Sequence, residues 1–391
     1  MASLAAEEEA AQRAATEEAI SQLGEVLEMA KEHGPKQPQL REMASEFFLG
    51  LTDTEQGRRA LHTQGATKVL LSWCGDSVDA VAASYYEALV NLSSDVLEAR
   101  LEFMLGLKAV DRVFETLKDN AVSARLTNAA LMFLSNLTTA KDACMDALQS
   151  SLGDPLLIGV RMRRLVEKFL DPALQPKAEG ELDAWEHVAS VLCNVSQLQD
   201  GRDLLRRRST NVLPRLILEL ESPSAVRRRG TAAALRNCCY ETLDHDWLLH
   251  EVGLLGRLLL SLAGPEPMTA GETNGMEELV LTKLEAQGAN KQREPDFETR
   301  KAILNALHLL CSTKVCKPNG LPLNWFQRTK RTTSHSNRLL CIHRRLRGST
   351  CGGNEPTLSS AMPIWQKKKG QNSRKCSTGK KTVTFLKPSA Y

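Results

Sequence analysis

Aromatic residues make up only 5% of this 391-residue chain, and runs of β-branched residues are scarce. Both are staples of strands, so a β-sandwich or barrel is disfavoured. No apolar run reaches the roughly 18 residues that a bilayer span requires. The strongest candidate, VGLLGRLLLSLAG from Val252, is short and carries Arg257 in its middle. The N-terminal MASLAAEEEAAQRAATEEA lacks an apolar core and holds Glu7, Glu8 and Glu9, so no secretory signal is read there. HExxH, GxSxG and a Gly-rich strand–turn–helix fingerprint are also missing. STGKKT from Ser377 has Arg374 where a phosphate loop needs its first Gly. No CxxC occurs, and Cys341, His343, Cys351 and Cys376 lack the spacing of a zinc finger. No catalytic, cofactor-binding or metal residue is therefore assigned, and a non-enzymatic protein is expected.

What is present is unevenly distributed. The chain has 50 Lys and Arg against 47 Asp and Glu, a net charge of +3. Residues 317–391 hold 16 of those bases and a single acid, Glu355, a local balance of +15. The first 316 residues are left with 34 bases and 46 acids, a balance of −12. An acidic body joined to a basic tail implies two regions with different physical roles. The body is rich in Ala, Leu and Glu, which favours helix. Of the ten cysteines, Cys193, Cys238, Cys239 and Cys311 sit in apolar helical runs, where Cys behaves as a small buried hydrophobe. A reducing cytoplasm, with the nucleus as alternative, is the expected compartment.

A short phrase recurs through the body: ALVNLS, FLSNLT, VLCNVS and ALRNCC, whose Asn91, Asn136, Asn194 and Asn237 lie 45, 58 and 43 residues apart. A weaker copy, FFLGLT, ends at Thr52 with Gly50 in the Asn place, and ALHLLCST at Thr313 is a degenerate last copy. Intervals of about 40–47 residues mark armadillo and HEAT units of two or three helices. GRRALHTQGATKVLLSW and GRDLLRRRSTNVLPRLILEL each read as helix, turn, helix, with the turns at Gly65 and at Ser209–Asn211. The phrase closes a third helix, in which Tyr85, Ala88, Leu89 and Leu92 form one stripe. The longest interval contains 151–164 and the Pro-bearing stretch from Asp171, read as loop insertions. Residues 264–275 and 284–296 read as two further loops.

Asn is a poor residue late in a helix, so the recurring Asn needs a reason. Its amide can bond backbone at the helix end and couple adjacent repeats. Alternatively, the ladder lines a concave groove and bonds an extended peptide. Armadillo receptors of the second kind place Trp one turn before such Asn residues; here those positions are Glu87, Met132, Ser190 and Ala233. A nuclear-transport adaptor is thereby disfavoured, and a scaffold for a folded or partly folded protein is preferred. Arg161, Arg163 and Arg164, Arg206–Arg208 and Arg227–Arg229 form basic clusters, read as solvated helix ends or as contacts for an acidic partner. Asn91, Asn136, Asn194, Arg228, Arg229, Arg236 and Asn237 are the candidate protein-binding residues.

RRRGTAAALRNCCYE and HDWLLHEVGLLGRLLLSLAGPE, within Arg227–Glu266, resemble the signature of the HGH family of eukaryotic armadillo-type proteins. FLSNLT at Phe133 and KQREPDFETRK from Lys291 are similar to it as well, and the likeness covers roughly residues 20–314. The resemblance implies a non-enzymatic co-chaperone that brings translation elongation factor two to the cytosolic chaperonin. After Lys314 the likeness stops. Residues 317–391 have a disordered composition and are read as an aberrant extension; an arm for RNA or the ribosome is the alternative. Loss of a capping repeat should leave the apolar face of the Ala302–Cys311 helix partly exposed.

The expected architecture is all-α. An acidic N-terminal helix (1–37) leads into an armadillo/HEAT-like right-handed solenoid (38–316), which a disordered basic tail (317–391) follows. A monomer without membrane contact or cofactor is expected.

Overall fold

The computed structural model describes residues 2–75, 78–94, 98–118, 122–149, 159–266 and 278–311. The chain divides into two units, Met1–Thr350 and Cys351–Tyr391, and the second lies wholly outside the described residues. The expected tail (317–391) falls outside them too, as do 151–158 and most of the loop expected at 264–275. Every regular element among the described residues is helical.

The first helix, α1 (Ala2–His33), buries Leu23, Leu27 and Ala30, an i, i+4, i+7 stripe. Its Glu17, Glu18 and Glu25 stay exposed. The stripe packs on α2 (Pro38–Leu51), which starts with Pro at a position that needs no backbone donor. Each later unit contains two short helices and a third that carries the Asn phrase. These are α3 (Glu55–Thr63), α4 (Ala66–Trp73) and α5 (Asp79–Ser94), then α6 (Glu98–Gly106), α7 (Ala109–Thr116) and α8 (Ala124–Leu137). Next come α9 (Lys141–Leu148), α10 (Val160–Phe169) and α11 (Val188–Val195), followed by α12 (Gln199–Arg206), α13 (Val212–Leu216) and α14 (Ala225–Cys238). In the last unit α15 (His245–His250) and α16 (Leu254–Leu262) precede the closing helix Phe297–Leu310, with a helix at Glu278–Gln287 between them.

One local device recurs at the junction of first and second helices. Gly65, Lys108, Gly159, Asn211 and Gly253 each take left-handed backbone there, with φ of 85°, 59°, 76°, 50° and 68°. Gly adopts that conformation without steric cost and Asn tolerates it; at Lys108 it is strained.

The third helices stack in one row, α2 on α5, α5 on α8, α8 on α11, α11 on α14, and α14 on the closing helix. Tyr85, Tyr86, Phe133 and Leu235 are fully buried in that row. Each large apolar side chain so buried contributes about 1.5–3 kcal/mol before entropy is counted. Small residues set the spacing. A Cβ on Gly230 would collide with the Ala189 backbone, so α14 lies flush on α11.

Three expectations are corrected. Residues 160–164 are not loop but the start of α10, and 284–287 belong to the helix Glu278–Gln287. In both, apolar residues at helical spacing outweigh the nearby Pro and Gly. The apolar face of the closing helix is covered: Ile303, Leu304, Leu307 and Leu310 are all buried, because the helix seats on α14 and α16.

Candidate protein-binding face

The Asn residues stand where the sequence put them, at the C-terminal ends of α5, α8, α11 and α14. Their amides bond the preceding repeat in a repeating pattern. Asn136 Nδ2 donates to Val90 O (3.2 Å) and Ser93 Oγ (3.0 Å). Asn194 Nδ2 donates to Ser135 O (3.0 Å) and Thr138 Oγ1 (3.1 Å). Asn237 Nδ2 donates to Cys193 O (3.1 Å) and Ser196 Oγ (2.9 Å). Asn91 Nδ2 donates to Thr52 Oγ1 (2.8 Å). Each donor thus reaches the hydroxyl two residues past the Asn place of the repeat before it. That hydroxyl turns its own proton onto a carbonyl of its own helix end, as in Thr52 to Leu49 O (2.6 Å) and Ser93 to Val90 O (2.9 Å). Its oxygen is left free to accept. The arrangement is the inter-repeat coupling role, and it engages the donors that a bound peptide would use.

Further ties run beside this ladder. The carbonyl of the same hydroxyl-bearing residue accepts from the first helix of the next unit: Arg58 to Thr52 O (2.7 Å), Cys144 Sγ to Thr138 O (3.0 Å) and Arg202 to Ser196 O (3.3 Å). His245 Nε2 bonds Cys239 O (2.8 Å) at the equivalent place, and burial lowers its pKa. Gly57 and Gly201 let those first helices cross the carbonyls of Leu51 and Val195, where a Cβ would collide. At the opposite ends of the third helices Asp79 accepts from Ser123 N (2.5 Å) and Glu186 from Ser224 Oγ (2.6 Å).

The Arg candidates divide. Arg228 donates to Glu294 (2.6 Å) and to the carbonyls of Ser222 and Pro223 (both 2.8 Å). Arg229 forms a two-pronged bridge to Asp296 (2.5 and 3.1 Å), and this guanidinium holds the Asp296 carboxyl well below its usual range. The RRRG and REPD segments therefore clamp each other. Arg236 instead donates to Asn237 Oδ1 from Nε (3.1 Å) and Nη2 (2.8 Å).

Arg227, expected in a basic cluster at a solvated helix end or against an acidic partner, is instead the most buried charge on α14. Arg227 is 1% exposed and holds Asp183, Glu219 (3.1 Å) and Phe169 O (2.8 Å), with its guanidinium 4.3 Å from the Phe169 ring centroid. Burial pulls its pKa down, but Asp183 and Glu219 outweigh that and hold it above the ordinary value. The cluster pins the 171–187 insertion against α14. Asp183 lies 44 positions upstream in the sequence, so no local pattern signals the pair.

The places one turn before each Asn carry half-buried Glu87, Met132 and Ser190 and buried Ala233, without an aromatic wall. Glu87 is bridged by Arg125 (2.7 and 2.8 Å) from the next helix. Among the described residues no cluster of His, Cys, Asp and Glu could hold a metal ion, and no helix is long and apolar enough to cross a membrane.

Comparison with known proteins follows the same lines. A family model described as a domain of unknown function, DUF383, matches residues 120–301. The chain is 31% identical to the Protein HGH1 homolog of Xenopus tropicalis over 276 residues, 70% of this chain and 72% of that one. It is 35% identical to the Protein HGH1 homolog of Homo sapiens over 279 residues, 70% of this chain and 67% of that one. Among solved structures it is similar to a designed armadillo repeat protein in complex with the peptide (KR)4. That match has a TM-score of 0.51 at 15% identity and covers 74% of this chain and 99% of that one. A chain from a study of a phosphorylation switch in the interaction between cadherin and beta-catenin gives a TM-score of 0.55 at 14% identity, covering 84% of this chain and 51% of that one. At such identities these structures speak for the armadillo-like solenoid fold alone.

Proposed function

The chain belongs to the HGH1 homolog family, and from that premise we propose that it is a non-enzymatic scaffold that binds protein, working as a co-chaperone for translation elongation factor two with the cytosolic chaperonin. The observation that carries the scaffold reading is the ladder. Asn91, Asn136, Asn194 and Asn237 spend their amide donors between repeats and stiffen the third-helix row. With no Trp wall beside them, the row offers a fixed surface without an aromatic slot for a threaded peptide. A fixed surface of that kind suits a folded or partly folded client, because little ordering cost remains at binding. The client and the chaperonin rest on the family resemblance. A monomer in the cytoplasm is the state proposed for this work.

The test is capture on the immobilised full-length chain from purified elongation factor two, chaperonin and RNA, offered separately. Retention of the first two supports the reading. Retention of RNA alone, lost as salt rises and lost with residues 317–391, would replace it with a nucleic-acid role for the tail.

A further inference from the structure

Three of the four arginines on α14 are neutralised by carboxylates of this chain: Arg227 by Asp183 and Glu219, Arg228 by Glu294, Arg229 by Asp296. Arg236 has no such partner among the described residues. Its guanidinium is half-buried and held edge-on by Asn237 Oδ1, through Nε and Nη2. Asn237 is itself 0% exposed and fixed by its two bonds to the preceding repeat. The fork is thus pre-oriented from behind while Nη1 stays unused, the geometry that suits an incoming carboxylate. Arg236 sits one residue before the Asn place. On the next third helix the same register position holds His308, and Lys301, bridged to Glu298 (3.0 Å), occupies the position that Arg229 holds on α14. At the far end of the row, one turn before the Asn place, stands the exposed Glu46 of α2.

We propose that Arg236 is a carboxylate-recognition residue on the third-helix face, and that it anchors an acidic segment of a partner protein. The inference rests on the scaffold reading and names the chemistry that the face selects. Charge complementarity orients the segment, with its acidic part over α14 and the closing helix and away from Glu46.

The probe is a fluorescein-labelled Glu-Ser repeat peptide, with a Lys-Ser repeat of equal length for comparison, titrated against the full-length chain. Arg236→Gln should weaken the acidic peptide at least about tenfold, equivalent to about 1.4 kcal/mol. Arg164→Gln removes the same charge from an exposed site on α10 and should change binding by less than about twofold. The Lys-Ser peptide should not discriminate between the variants. Equal weakening by both substitutions, or no binding of the acidic peptide to the unaltered chain, overturns the proposal. Capture of elongation factor two is followed in parallel. If the unaltered chain captures that client while the peptide result fails, the carboxylate site alone is wrong; if it captures nothing, the scaffold reading falls.

Discussion

Replacing Asn237 by Ala tests the ladder at its most buried point. The side chain is 0% exposed and donates to Cys193 O at 3.1 Å and Ser196 Oγ at 2.9 Å. A net hydrogen bond contributes about 0.5–1.5 kcal/mol, so two give about 1–3 kcal/mol. Loss of the amide leaves Cys193 O satisfied, because Ser196 Oγ still donates to it at 3.1 Å. The Arg236 donors that lose Asn237 Oδ1 belong to a half-buried side chain that water can reach. The small cavity adds a further part, and about 2–3 kcal/mol in all is expected. Asn91 makes one such bond, to Thr52 Oγ1, so Asn91→Ala should cost about half as much. The decisive measurement is a double-mutant cycle with Ser196→Ala, read from urea denaturation followed by circular dichroism. Coupling of about 0.5–1.5 kcal/mol is expected, and a value under about 0.3 kcal/mol would refute the hydrogen-bond account. A changed slope in urea would instead mean that the array no longer unfolds as one unit.

Arg227→Met should cost about 3–5 kcal/mol, since it strands Asp183 and Glu219 in the interior; thermal melting reads the loss. Gly230→Ala, which drives a Cβ into the Ala189 backbone, should cost about 1–3 kcal/mol by urea titration. The depressed Asp296 carboxyl stabilises the fold above its unfolded pKa and loses that contribution as pH falls through its lower folded value. Arg229→Ala should therefore flatten the acid limb of a stability–pH curve, and an unchanged limb would contradict the pairing. Burial pushes the thiols of Cys74, Cys144 and Cys238 up to about 12, so a maleimide at mild alkaline pH should label them only after denaturant is added.

The repeat phrase was legible because one short string carries both halves of the contact. Each Asn is followed two residues later by the oxygen that serves the next repeat, at Ser93, Thr138 and Ser196. Where that place becomes Cys239 and the next Asn place becomes Leu309, the ladder stops. The parallel set of ties was invisible for the opposite reason. Arg58, Cys144, Arg202 and His245 perform one task with three side-chain types, so no string recurs. The left-handed junctions were half visible: Gly65 and Asn211 announce them, whereas Lys108 does not. Arg227 with Asp183 and Arg228 with Glu294 join segments 44 and 66 positions apart, and spacing alone could not pair them. Site chemistry was less legible than fold because the candidate arginines differ only in which carboxylates the tertiary structure brings to them.

The ladder also has a direction in time. Every Asn reaches back toward the N-terminus, and every accepting hydroxyl already has a carbonyl of its own to satisfy. During synthesis a newly emerged third helix therefore finds its acceptor waiting on the layer folded before it, and a layer still without a successor buries no orphaned amide. A chain begun from the other end would lack that advantage, since its first Asn would have nothing to grip. Growth from the ribosome outward is thus the order in which each added layer closes the contacts of the last, and nested C-terminal deletions should shed structure more gently than N-terminal ones of equal length.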